Sequence, residues 1–159
     1  MSQQENLEEV REIFSNYLEK KKYRKTPERF TILEEVYARD DHFDAEMLYL
    51  QIKNKSHNIS RATVYNTLNL LLDCDLVTKH QFGKNVGSFE KAYGYKQHDH
   101  LVCRYCNEVY EFCDPRIQQI QNMIGNLLNF TIEDHSLTLY GRPNVDESGN
   151  CEKCSQKIQ

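Results

Sequence analysis

The chain has 159 residues, 39% hydrophobic and 28% charged, a composition that suits a soluble globular protein of one ordinary domain or two small ones. Its formal net charge of −4 gives no bulk excess of positive charge for nucleic acid, and neither half is basic: 14 Lys and Arg stand against 15 Asp and Glu through Ala92, and 6 against 9 from Tyr93 onward. There is no secretory-leader pattern and no apolar run of bilayer-spanning length, so the expectation is a cytoplasmic protein without membrane association, whose six cysteines read as metal ligands before disulfides.

Leu7, Val10, Phe14, Tyr17 and Leu18 recur at three- and four-residue steps and predict an amphipathic first helix. It runs into Lys20, Lys21, Lys22, Arg24, Lys25 and Arg29, six positive charges around the single acid Glu28, suited to a helix C-terminus or a local phosphate-facing patch. Thr26-Pro27 supplies an N-cap and a preorganised first turn for a second helix with the stripe Phe30, Leu33, Val36 and Tyr37. Asp44 caps a third helix bearing Ala45, Leu48 and Ile52, and Ser60 caps a fourth bearing Val64, Leu68 and Leu71. Two short helices with a polar joint suggest helix-turn-helix. Val77 to Phe82 and Val86 to Glu90 flank Gly83-Lys84-Asn85, a hairpin signal with a basic tip.

Helices followed by such a hairpin describe a winged helix, which sets the helix before the wing in a DNA major groove. Arg61, Thr63, Tyr65 and Asn66 are the side chains available at its start, for phosphate, a guanine edge or a thymine methyl. After Tyr93 the pattern changes to short strand candidates at His100 to Cys103, Val109 to Phe112 and Thr138 to Tyr140, with a helix opening at Asp114-Pro115. The expected fold class is therefore α+β: a winged helix-turn-helix over residues 1–92, then a small α/β domain over 93–159. A domain that small needs further burial, most simply by dimerising.

Cys103-x-x-Cys106 and Cys151-x-x-Cys154 carry the strongest chemical signal, since a two-residue spacer lets both thiolates of a pair reach one tetrahedral ion. Two pairs close a four-cysteine site with no open position, which makes the expected zinc structural and not catalytic. The competing redox dithiol requires a pair at a helix start in a βαβ pattern, and neither pair has that setting. Cys74 and Cys113 lack such partners and are assigned no role. His98 and His100 fall on one side of a strand with Asp99 on the other, and Glu111 on the neighbouring strand lies within reach. Two imidazoles and a carboxylate suit Zn(II), Fe(II) or Mn(II).

The string from His98 through Cys106, with Glu111-Phe112, His135-Ser136-Leu137 and Tyr140-Gly141, resembles the ferric uptake regulator family, and the resemblance covers nearly the whole chain. Upstream, Arg24-x-Thr26-x-x-Arg29, His42-x-x-Ala45-Glu46-x-Leu48-Tyr49 and the run from Ser60 through Leu68 match in order and spacing. The resemblance implies a metal-responsive repressor that binds a palindromic DNA operator as a homodimer, with a tetramer as the alternative assembly. It further implies a regulatory metal held by His42, Glu90, His98, His100 and Glu111, with Arg24 near the minor groove and Arg61 and Tyr65 in the major groove. Metal would favour a closed arrangement that spaces two recognition helices for the operator. At another metal site of the family this chain has Gln97 and Gln118 beside Asp99 and His135; amide oxygens are weaker ligands, so at most a weak third site is expected there.

Members of the family differ in effector. Three histidines with two glutamates favour a harder ion, and Glu111 resembles the iron-sensing branch, so Fe(II) is the expected regulator, with Mn(II) or Zn(II) as alternative occupants. A peroxide sensor is the runner-up and a zinc sensor follows. No small organic substrate is expected: a metal-dependent hydrolase on His98, Asp99, His100 and Glu111 would need an open coordination position. An interaction module that never touches DNA is the remaining alternative, encouraged by the acidic total charge.

Overall fold

The computed structural model describes residues 3–55, 58–81, 87–94 and 97–144. The chain divides into two compact units, Met1–Tyr95 and Lys96–Gln159. In the first, four helices precede a two-stranded hairpin: α1 (Gln3–Lys20), α2 (Pro27–Tyr37), α3 (Ala45–Asn54), α4 (Arg61–Asp73), β1 (Val77–His80) and β2 (Ser88–Lys91). Val10, Phe14 and Leu18 of α1 are wholly buried with Ile32, Leu33 and Val36 of α2, Leu48 and Ile52 of α3, and Val64 and Leu71 of α4. Each such side chain contributes about 1.5–3 kcal/mol through loss of apolar surface to water.

The stripe of α2 differs from the sequence reading at its edges. Ile32 lies in the core, while Phe30 packs edge-on against Phe14 at 5.7 Å and Tyr37 donates its hydroxyl to the Leu76 carbonyl at 2.7 Å from half-buried positions. Asp44 and Ser60 cap α3 and α4 through side-chain oxygens, accepting from the Met47 and Thr63 amides at 2.7 and 3.1 Å. Thr26 stands at the N-cap of α2, but its hydroxyl makes no capping bond; Pro27 in the first turn supplies the preorganised φ instead. The paired strands are shorter than the sequence pattern suggested, and the basic tip Gly83-Lys84-Asn85 lies outside the described residues.

The second unit holds a three-stranded sheet in the order β4-β3-β5, from β3 (Asp99–Cys103), β4 (Val109–Phe112) and β5 (Thr138–Gly141), with α5 (Pro115–Leu128) between β4 and β5 in sequence. β3 pairs antiparallel with β4 and parallel with β5, the latter made possible by the long connection through α5. Asp114 caps α5 by accepting from the Arg116 amide at 2.9 Å. The helix ends at Asn129 in the left-handed conformation, φ 58°, and the following Phe130 amide closes on the Gly125 carbonyl at 2.9 Å. A Cβ on Gly125 would meet the Phe130 carbonyl at 2.7 Å, so this close reversal requires glycine. Among the described residues, no helix is long and apolar enough to cross a membrane.

Candidate metal centre and nucleic-acid face

One backbone contact organises the polar cluster of the first unit. Phe43 and Phe89 form an isolated antiparallel bridge, exchanging amide-to-carbonyl bonds of 3.0 and 2.7 Å, with their rings stacked at 5.9 Å. Antiparallel pairing of 43 with 89 brings their neighbours His42 and Glu90 side by side. His42 Nε2 lies 3.2 Å from Glu90 Oε2, and both side chains are nearly enclosed. The other carboxylate oxygen, Oε1, lies 2.5 Å from His80 Nε2, and the His42 and His80 rings sit edge-on at 6.0 Å. Burial works to raise the Glu90 carboxyl pKa; hydrogen bonds and charge from His42 and His80 outweigh it and hold the group well below the ordinary carboxylate range. Glu90 is therefore a buried carboxylate held between two imidazoles.

In the second unit, the strand register sets His100 directly opposite Glu111. His98 immediately precedes β3, and its ring meets that of His100 at a centroid distance of 4.8 Å. His98 Nε2 is 3.7 Å from Glu111 Oε1, while His100 is only 3% exposed. A ring nitrogen of His98 and one of His100 lie within 4.8 Å, near the span of two ligands on a single ion, about 3–4 Å from bond lengths near 2 Å. Each unit thus offers imidazole and carboxylate donors, a chemistry that fits a divalent transition metal.

Asp99 points to the other side of β3 and is 3% exposed, with Oδ1 at 3.1 Å from His135 Nε2. The two glutamines stay out of this pair: Gln97 Nε2 donates to the His135 carbonyl at 3.0 Å, and Gln118 Nε2 to Asn122 Oδ1 at 3.2 Å. Cys103 ends β3 and Cys106 lies in the turn that follows it. The backbone of this turn is fixed by Asn107, φ 60°, whose amide donates to the Cys103 carbonyl at 3.0 Å, and the Tyr105 amide points at Cys103 Sγ from 3.4 Å. Cys151 and Cys154 lie outside the described residues.

On the DNA-facing candidates, Arg61 and Tyr65 are exposed at the start of α4. Arg61 is already engaged: Nη2 lies 2.8 Å from Glu46 Oε1 and the guanidinium lies 5.1 Å from the Tyr49 ring centre. The Thr63 hydroxyl is 2.8 Å from Ser60 Oγ, within the cap. Thr63 and Asn66 line a cleft with Thr26, Arg29, Asn58 and Ser60. Arg24 is exposed, and its carbonyl accepts from the Arg29 guanidinium. Sequence reasoning missed His80 and Glu46. Alternation along β1 would have found His80 only with the hairpin register known, because Thr78 is the residue opposite Glu90 and His80 is two places further on the same face.

The ferric uptake regulator family model matches residues 20–140. The ferric uptake regulation protein of Campylobacter jejuni is 34% identical over 136 residues, covering 84% of this chain and 83% of that one. Among solved structures, the ferric uptake regulator from Pseudomonas aeruginosa with manganese superposes with a TM-score of 0.72 at 32% identity, over 82% of this chain and 97% of that one. The Campylobacter jejuni peroxide stress regulator superposes with a TM-score of 0.64 at 26% identity, over 80% and 89%. The chain belongs to the ferric uptake regulator family. It is accordingly a metal-responsive regulator and not an enzyme.

Proposed function

We propose that this protein is an Fe(II)-dependent transcriptional repressor that binds palindromic operators as a homodimer. The observation that carries the reading is the buried Glu90 carboxylate beside His42, matched in the other unit by His100 and Glu111 on adjoining strands with His98 just ahead of β3. The regulatory set draws His42 and Glu90 from the first unit and His98, His100 and Glu111 from the second. Three nitrogen and two carboxylate donors suit Fe(II), and the same set accepts Mn(II) or Zn(II). The ion, when bound, supplies the positive charge that lets these acidic and imidazole groups share one centre. Ligands drawn from both units favour one arrangement over others, and the coupling available equals the difference in affinity between arrangements; a 100-fold difference corresponds to about 2.7 kcal/mol.

The hairpin and α4 are the proposed wing and recognition helix of a winged helix-turn-helix. Arg61 and Tyr65 reach base edges, Thr63 and Asn66 reach phosphate, and Arg24 enters the minor groove. Cys103, Cys106, Cys151 and Cys154 form the structural zinc site, supported by the turn that already directs a backbone amide at Cys103 Sγ. The dimer uses α5, whose Ile120, Met123, Ile124, Leu127 and Leu128 are 41–80% exposed in a single chain. Asp99 and His135 serve each other as a structural pair, and the amide positions leave no full third site. A cytoplasmic location follows from a DNA target.

The test is binding to an operator-like palindrome by fluorescence anisotropy, under anaerobic titration with Fe(II), Mn(II) and Zn(II), for the wild type and His98→Ala. A steep rise in affinity with Fe(II) that His98→Ala abolishes is the expected result. A DNA affinity indifferent to every metal would remove the switch. The peroxide reading shares this fold, and its separate signature is loss of iron-dependent binding after brief peroxide exposure, with an added oxygen on His42 or His98.

A further inference from the structure

His80 has no place in the ligand set proposed above, yet it makes the shorter of the two histidine contacts to Glu90. The hairpin register explains how. Thr78 faces Glu90 across the strands, so His80, two residues on, lies diagonally over Glu90 on the same face. Its Nε2 reaches Oε1 at 2.5 Å, against 3.2 Å from His42 Nε2 to Oε2. All three side chains are nearly enclosed, at 11–15% exposed, so the contact is made away from bulk solvent. In this contact the carboxylate oxygen is the acceptor and the ring N–H of His80 the donor. That nitrogen is spent on Glu90 and has no lone pair to offer an ion.

We infer that His80 is a positioning residue for the regulatory metal: its Nε2–H holds Oε1 of Glu90, so that Oε2 alone is presented beside His42. This rests on the regulatory site proposed above. It assigns the two oxygens of one carboxylate different tasks and makes Glu90 a one-oxygen ligand. Hydrogen bonds of this kind to a ligating carboxylate fix its orientation, and their removal lowers metal affinity about 10–100-fold.

The experiment uses the full-length protein pre-loaded with one equivalent of Zn(II) and titrated anaerobically with Co(II), followed by the visible d–d absorption. Wild type, His80→Leu, His80→Gln, His42→Ala and Glu90→Ala are compared. The expected result is a 10–100-fold weaker Co(II) affinity for His80→Leu and recovery of most of it in His80→Gln, whose amide N–H still donates to Oε1. The saturated Co(II) spectrum of both keeps the wild-type band positions and intensity, because the ligand set is unchanged. Wild-type affinity in His80→Leu, alongside losses in His42→Ala and Glu90→Ala, overturns the role of His80 while leaving the regulatory site standing. A saturated His80→Leu spectrum changed as by loss of a nitrogen ligand also overturns it, by making His80 a ligand. Wild-type Co(II) affinity in His42→Ala and Glu90→Ala removes the site itself. Should His80→Leu fail to fold, His80→Gln against Glu90→Ala decides: affinity in His80→Gln as low as in Glu90→Ala overturns the inference.

Discussion

Arg61 carries two commitments at once, an ion pair to Glu46 and a stacking contact over Tyr49. Both partners of the ion pair are well exposed, and such surface pairs contribute about 0–1 kcal/mol. Arg61→Ala should therefore leave thermal stability within about 1 kcal/mol of wild type while weakening operator binding by about 1–3 kcal/mol, the range for one good base contact. Calorimetric unfolding and anisotropy on the same preparation separate the two, and unchanged DNA affinity would remove Arg61 from the interface. Cys74 makes a different residue-scale prediction. Burial pushes its thiol up to about 11, from 9.0 for a free thiol. Its thiolate fraction at pH 8 is thereby lowered about 100-fold, so iodoacetamide should label it about that much more slowly in the native state than in urea, read by peptide mass spectrometry. The donors at the start of β3 were readable from alternation, since His-Asp-His in extended chain separates Asp99 from its neighbours. His80 was not, because nothing local to Val77-Thr78-Lys79-His80 reveals which residue of β2 it will face.

Among the elements, α5 stands apart. The helices of the first unit bury their stripes against one another, whereas the apolar face of α5 leaves Met123 62% and Leu127 80% exposed in the single chain. Water contact over so much apolar surface is unfavourable, and a second copy of the same face would relieve it. The double variant Met123→Glu/Leu127→Glu should run as a monomer in size-exclusion chromatography with light scattering, since charge at the centre of an apolar seam is not tolerated without a partner. Retention of the dimer would move the interface elsewhere. Helix starts were legible where a side-chain oxygen performs the cap, at Asp44, Ser60 and Asp114. At Thr26 the residue type pointed to the right boundary for the wrong reason, because Pro27 supplies the local preference and the hydroxyl is not used. The hairpin ends were less legible: Gln81 and Gly87 fall inside the strands read from the sequence but stand outside the paired ones.

The whole molecule joins two units with different sources of stability. The first has a continuous apolar core from all four helices and the hairpin, while Val102 and Cys103 are the hydrophobic residues buried among the described residues of the second. Zinc should therefore matter unequally. Structural zinc in small peptides contributes on the order of 10–16 kcal/mol, enough to decide the fold of a unit with so little apolar burial. Chelation should abolish the dimer and the strand signal of the second unit while the helices of the first persist, followed by amide hydrogen exchange and light scattering. A zinc-free protein that stayed dimeric, with β3 amides still protected, would count against the four-cysteine site.

The parallel pairing of β3 with β5 also sets an order of events during synthesis. The His100 amide donates to the Leu137 carbonyl at 3.1 Å, and β3 gains its second neighbour only when Thr138 to Gly141 have been made. The contacts of the first unit close earlier, and domains fold in turn as the chain is synthesised at about 5–20 residues per second. A nascent chain would hold a formed helical half for a few seconds while the strand carrying His100 still lacked its partner. The metal-holding strand would thus be the last part of the chain to be secured, and a chain that stalls before Thr138 keeps its helical half with His100 on an unfinished sheet.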